Sequence, residues 1–260
     1  MLNRHAITTI ALMITVTILT AGMLFSGCTP AQESGKSVFI TGTYGALIHG
    51  VYDGTATVSD LKRHGDFALG AFNGIDGELV ALDGKYYQIG SGGKVNPAND
   101  TMSTPNTTAL FFKADKVVTI DKPMTYQELQ QYLNTQLPTQ NIFIAIKVKG
   151  TFDSIKARSL TKLNQPYPST AYSTITQNEP TFDFNNVDGT MVILVSPNYM
   201  SEISYPGYHA HFISNDGKSG GHVLDARIAK GQAEVELLPN FSVNLPQSSK
   251  YYQADFTESK

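Results

Sequence analysis

Three of the chain's six histidines fall within fourteen residues. They lie in Tyr205-Pro206-Gly207-Tyr208-His209-Ala210-His211-Phe212-Ile213-Ser214 and, past a polar Gly-rich stretch, in Gly220-Gly221-His222-Val223-Leu224-Asp225. Alternate side chains of a β-strand share a face, so a strand through His209 and His211 projects both imidazoles the same way. Residues 215–221, Asn-Asp-Gly-Lys-Ser-Gly-Gly, are turn formers between apolar runs, which predicts a hairpin. That hairpin brings His222 up on the neighbouring strand. Three imidazoles converging from a rigid ribbon, with a fourth position open, is the arrangement of a catalytic zinc site. A lone strand histidine is more often a hydrogen-bonded core or surface residue. The pair on one face and the third at hairpin distance are what favour a metal, and they name no reaction.

The elements that would position this ribbon are mostly strands. Val38–Thr43, Glu78–Leu82, Tyr86–Ile89, Ala109–Lys113, Ile142–Val148, Met191–Val195, His209–Ile213, His222–Ile228 and Ala233–Leu238 are short, rich in β-branched and aromatic residues, and bounded by turn formers. Two helices are expected, one starting at Thr57 and ending at Gly65, the other capped by Thr125 with Glu128 completing a capping box. Few helices among many strands, without regular alternation, predict an α+β fold with mixed or antiparallel sheets. The Pro- and Asn-rich stretch from Gln165 to Pro180 is the best internal boundary, which divides the body into 38–165 and a 166–260 half carrying the metal hairpin.

The N-terminus reads differently. Arg4 precedes an apolar run from Ala6 to Phe25 that ends in Phe25-Ser26-Gly27-Cys28, the pattern of an export signal over residues 1–27. Cys28 is the chain's single cysteine and stands where a lipoprotein signal places the lipidated residue. An uncleaved membrane anchor is the alternative, since about 20 apolar residues span a bilayer. Either predicts an exported, membrane-tethered protein, with residues 28–37 as a tether. Of 19 basic residues only Arg4 lies in the signal, leaving 18 against 22 acidic ones. That slight acidity and the lack of a basic run argue against nucleic-acid binding. No Walker loop or dinucleotide fingerprint is present.

Further segments carry a family resemblance. Tyr44-Gly45-Ala46-Leu47-Ile48-His49-Gly50-Val51-Tyr52-Asp53-Gly54 is followed by residues 64–79, which run His-Gly-Asp-Phe-Ala-Leu-Gly-Ala-Phe-Asn-Gly-Ile-Asp-Gly-Glu-Leu. Tyr87-Gln88-Ile89, Phe152-Asp153-Ser154-Ile155-Lys156-Ala157-Arg158 and Gln165-Pro166-Tyr167-Pro168 come next. With the histidine hairpin, these resemble acetolactate decarboxylase in order and spacing over nearly all of residues 38–240.

The resemblance implies decarboxylation of 2-acetolactate to acetoin by a zinc ion on His209, His211 and His222, the ion polarising the ketone and stabilising the enediolate. It implies that Glu78 and Arg158 line the same site and that a tail glutamate, for which Glu258 is the nearest candidate, reaches the metal. It also implies a homodimer. Taken alone, Glu78 reads as a solvated hairpin residue, Arg158 as a surface cation and Glu258 as part of a frayed end. His49 and His64 read as structural. Two departures from the family pattern are places where a change of substrate could lie: Ala71 where many relatives carry Thr, which removes a hydroxyl near the expected pocket, and Asn106 where Phe is common. Two rival readings follow from these features: an exported divalent-metal-binding module without catalysis, and a decarboxylase of a related 2-hydroxy-3-oxo acid.

Overall fold

The computed structural model describes residues 36–257. The expected signal, the tether up to Gly35 with Cys28, and Glu258 lie outside them. The first part of the chain forms β1 (Ser37–Thr41), β2 (Ala56–Thr57), β3 (Phe67–Ala71), β4 (Glu78–Leu82), β5 (Lys85–Ile89), β6 (Val95–Pro97), β7 (Ser103–Thr104) and β8 (Asn106–Leu110). Then come β9 (Lys116–Ile120), β10 (Met124–Thr125), β11 (Phe143–Arg158), β12 (Thr181–Ser196), β13 (Gly207–Ser214), β14 (Gly220–Leu238) and β15 (Asn240–Asn244). The helices are short: α1 (Tyr44–Ile48), α2 (Val58–Leu61), α3 (Tyr126–Thr135), α4 (Tyr172–Gln177) and α5 (Ser249–Gln253).

Two large sheets and a two-stranded ribbon of β2 and β7 result, with few helices, an α+β fold. A seven-stranded sheet runs β15-β1-β8-β3-β4-β5-β6, antiparallel except where β15 lies parallel to β1. The second sheet runs β10-β14-β11-β12-β13, with β9 on β14. Because β13 also pairs with the start of β14, this sheet closes on itself. Strand alternation then sorts its side chains. Ile144, Ile146, Val148, Met191, Ile193, Val195, Ala210 and Phe212 point into the closed sheet, where Leu129 and Leu133 of α3 plug it. Ala145, Val192, Leu194 and Ile213 point outward, onto Ile40, Leu69, Val80 and Leu110 of the first sheet. Each Val, Leu, Ile, Met or Phe among them taken fully out of water contributes about 1.5–3 kcal/mol.

The capping box of α3 forms as its sequence predicts: the Glu128 N–H donates to Thr125 Oγ1 at 3.2 Å and the Thr125 N–H donates to Glu128 Oε2 at 2.8 Å. Thr57 caps α2 with a second box through Asp60, and the Gly65 N–H closes its end on the Leu61 carbonyl.

Two expectations need correction. The sheets do not divide near Gln165, because β11 already belongs to the second sheet and β15 returns to the first. The strands expected at His222–Ile228 and Ala233–Leu238 are one continuous strand, β14. Gly231 reads as a break but stays in the ladder, opposite Gly150, which in turn faces Gly189. This row without side chains crosses the sheet where the β11–β14 register begins to shift, and such bulges sharpen strand twist.

Candidate active site and metal centre

His211 stands directly opposite His222 in the β13–β14 ladder, and His222 stands opposite Arg158 in the β14–β11 ladder. His209 is two residues before His211 on the same face. All of these point away from the closed sheet, towards the first sheet. The start of β14 fits between β13 and β11 because Gly220 and Gly221 precede His222. A Cβ at Gly221 would lie 2.8 Å from the Arg158 carbonyl oxygen, and one at Gly220 would lie 2.4 Å from that of Phe212.

The three imidazoles form a compact triangle. Ring centroids are 4.9 Å apart for His209–His211, 5.0 Å for His209–His222 and 5.4 Å for His211–His222. One ring nitrogen from each lies within 4.8 Å of the others. His211 is wholly buried, and its Nδ1 faces the Leu79 carbonyl oxygen at 2.9 Å. A carbonyl only accepts, so this contact assigns the proton to Nδ1 and leaves Nε2 with its lone pair. That Nε2 is buried and has no hydrogen-bond partner among the described residues. A buried lone pair with two further imidazoles beside it suits a divalent metal, so the residues present fit the ion their spacing predicts.

Electrostatics keep the triad neutral. Burial pushes the His209 pKa well below the usual imidazole range, helped by His211 and Arg158. Burial does the same to His222, helped by Arg158 and both other histidines. His211 is lowered to about 3, mainly by burial, against the opposing hydrogen bond to Leu79. Neutral imidazoles are the form that ligates metal.

Glu78 comes from the other sheet. Gly77 delivers it: with φ at +83° and the Ile89 carbonyl oxygen 2.4 Å from where a Cβ would stand, only glycine fits. The Glu78 side chain is 5% exposed, against the solvated default for such a turn. Its Oε1 accepts from Arg158 Nη1 at 3.2 Å, and its Oε2 lies 3.4 Å from His211 Nε2. Burial raises the Glu78 pKa to about 7, with Arg158 pulling the other way. Arg158 is likewise no surface cation, its side chain being 13% exposed.

These groups open into a cavity of 330 Å³, walled also by Tyr44, Ala71, Asn106, Tyr172 and Tyr205. Burial raises the Tyr44 phenol, which stays a hydrogen-bond donor at neutral pH. The Tyr205 ring covers the triad, 4.9 Å from His209 and 6.5 Å from His222 by centroid. Tyr44, Tyr172 and Tyr205 escape sequence reasoning, because single tyrosines in loops and short helices carry no spacing signal. His49 and His64 stay outside the triad as expected. His64 stacks on Phe39 at 3.7 Å and His49 Nδ1 lies 2.7 Å from the Gly45 carbonyl oxygen.

Residues 38–258 match the family model described as alpha-acetolactate decarboxylase. The chain belongs to that family.

The relatives agree. The alpha-acetolactate decarboxylase of Methanosarcina mazei is 40% identical over 225 residues, covering 86% of this chain and 77% of the relative. That of Methylococcus capsulatus is 33% identical over 231 residues, 89% of this chain and 88% of the relative. The crystal structure of alpha-acetolactate decarboxylase from Bacillus subtilis strain 168 superposes with a TM-score of 0.82 at 32% identity, covering 85% of this chain and 94% of that one. As a member of the alpha-acetolactate decarboxylase family, the chain is an enzyme, a carboxy-lyase.

Proposed function

We propose that this chain converts 2-acetolactate to acetoin with a zinc ion held by His209, His211 and His222. The observation that carries this reading is the orphaned Nε2 of His211, set among neutral imidazoles and facing the Glu78–Arg158 pair at one end of a cavity that suits a five-carbon acid. A bound zinc ion supplies Lewis acidity towards the ketone and hydroxyl oxygens of the substrate.

The chain's own residues do the rest. Arg158 presents a guanidinium to the substrate carboxylate, a geometry suited to paired hydrogen bonds. The bond from the carboxylate carbon to its neighbour breaks, carbon dioxide leaves, and the electron pair settles as an enediolate. One proton must then reach carbon. Glu78, a carboxyl that burial makes easier to protonate in the metal-free chain and that stands beside the triad, is the donor in this reading. The enclosing tyrosines limit water at the carbanionic centre.

Glu258 completes the metal site in this reading. Its support is the tail's path: Phe256 packs edge-on against His49 at 5.6 Å, next to the cavity-lining Ile48. Export with lipid attachment at Cys28 is supported by the Arg4-to-Cys28 pattern. Mass spectrometry of the native N-terminus tests it, since an unmodified chain starting at Met1 would exclude it. The homodimer rests on the family resemblance alone, and light scattering reads it directly.

The test of function is acetoin formation from racemic 2-acetolactate by the purified full-length chain, before chelation, after it, and after zinc is restored. Activity lost and regained supports the reading. Tight zinc binding without acetoin would leave the metal-binding module or a changed substrate.

A further inference from the structure

Asn106, Ala71 and Glu78 form one row across the inner face of the first sheet. Asn106 is in register with Ala71 on β8 and β3, and Ala71 is in register with Glu78 on β3 and β4. All three line the cavity. The row is polar at both ends and carries only a methyl group in the middle. Neighbouring strands are about 4.8 Å apart, so the two polar residues stand roughly 10 Å apart at the backbone, enough for a small acid to lie over Ala71 between their side chains.

The Asn106 side chain is incomplete as it stands. Its Nδ2 is buried and has no hydrogen-bond partner among the described residues. Native folds rarely leave a buried amide donor unmatched, and one on a cavity-lining side chain can turn to an acceptor brought in from outside. Aside from Nε2 of His211, it is the one buried side-chain nitrogen or oxygen among the described residues that lacks a hydrogen-bond partner. Glu78 and Arg158 satisfy each other at one end of the row. Nothing answers Asn106 at the other.

We propose that Asn106 is a substrate-binding residue, its Nδ2 donating to an oxygen of the bound 2-hydroxy-3-oxo acid at the end remote from Glu78. This rests on the decarboxylase reading. Ala71 keeps the floor between the two ends clear, so that the substrate rather than a neighbouring side chain takes the donor.

The test uses Asn106→Leu and Asn106→Asp in the zinc-loaded full-length enzyme. Both keep the branching of the native side chain and both remove the amide donor. The expected result is a KM for 2-acetolactate at least tenfold higher in each. Zinc content should be unchanged, and the substrate-free melting temperature of Asn106→Leu should be equal to or above the parent's, because an apolar side chain removes the unmatched donor. A purely structural asparagine would move the melting temperature and leave KM alone, so a KM within twofold of the parent in either folded variant would overturn the proposal. Should Asn106→Leu fail to fold, Asn106→Asp decides by the same criterion. A parent enzyme that makes no acetoin would instead remove the decarboxylase reading, so the two failures are told apart.

Discussion

His211 Nε2 and Glu78 Oε2 lie 3.4 Å apart although they belong to different sheets. Glu78 also pairs with Arg158, so one carboxylate touches both the expected metal ligand and the expected carboxylate-binding group. The packing of one sheet on the other therefore sets the active-site geometry.

His211→Asn should abolish the metal site. The change removes the Nε2 lone pair and disturbs the Leu79 contact. We expect zinc per chain, read by elemental analysis, to fall from near one to a small fraction, and acetoin formation to drop by a factor of about 1,000 or more. Loss of even an outer partner of a metal ligand typically lowers affinity 10–100-fold, and a ligand should matter more. Full zinc content in this variant would remove His211 from the ligand set.

Glu78→Gln separates proton transfer from folding. The positioned acid is typically worth a factor of 10²–10⁴, so kcat should fall by about that range while zinc stays bound. An unchanged kcat would point to Arg158 as the proton source.

The same variant carries a pH signature in the metal-free protein. Glu78 has a folded pKa raised to about 7 by burial, above its unfolded value. Its stabilising contribution is thus fully present below the unfolded pKa and lost as pH rises through about 7. Above that, the metal-free parent must bury a charge that Glu78→Gln lacks, a difference on the order of 3 kcal/mol. Melting temperatures in chelator should show Glu78→Gln more stable at pH 8, with the gap closing by pH 4.5. The lowered histidines act in the opposite sense: their contribution is present above about pH 6.5 and lost as pH falls. Both proteins should therefore weaken together on the acid side.

Phe212→Ala tests the closed sheet as support for the site. Phe212 is fully buried between His211 and Ile213, with the Phe152 and Phe184 rings 5.4 and 6.1 Å away. Truncation should cost about 3–5 kcal/mol in urea unfolding and weaken zinc binding, because β13 loses its anchor. An unmoved urea midpoint would show that the interior of the closed sheet contributes little.

Glu258→Ala asks whether the tail reaches the metal. We expect zinc affinity, measured by competition with a chromophoric chelator, to fall roughly tenfold or more by analogy with other groups that support a metal site. Identical affinity would leave the ion with three protein ligands.

The hairpin was legible because its signals are local: strand alternation places His209 with His211, and a turn-rich gap brings up His222. The α3 capping box was legible for the same reason. Glu78 and Arg158 owed their assignment to the family resemblance, since their burial depends on two sheets that meet only in the folded chain. The unmatched donor of Asn106 was invisible because its row joins β8, β3 and β4, whose pairing no short window contains. Gly231 misled because a glycine inside a long coiled strand and a glycine at a turn look alike in sequence.

The parallel pairing of β1 with β15 joins Ser37–Thr41 to Asn240–Asn244. During synthesis, one flank of Ser37-Val38-Phe39-Ile40-Thr41 can find β8 early, while its other flank must wait for some two hundred more residues to emerge. Until then an apolar strand edge stands open, the kind that recruits other chains. Carboxy-terminal truncations ending before Asn240 should therefore clump even where the histidine ribbon is intact, and a chaperone bound to the nascent chain would find its most durable target at β1.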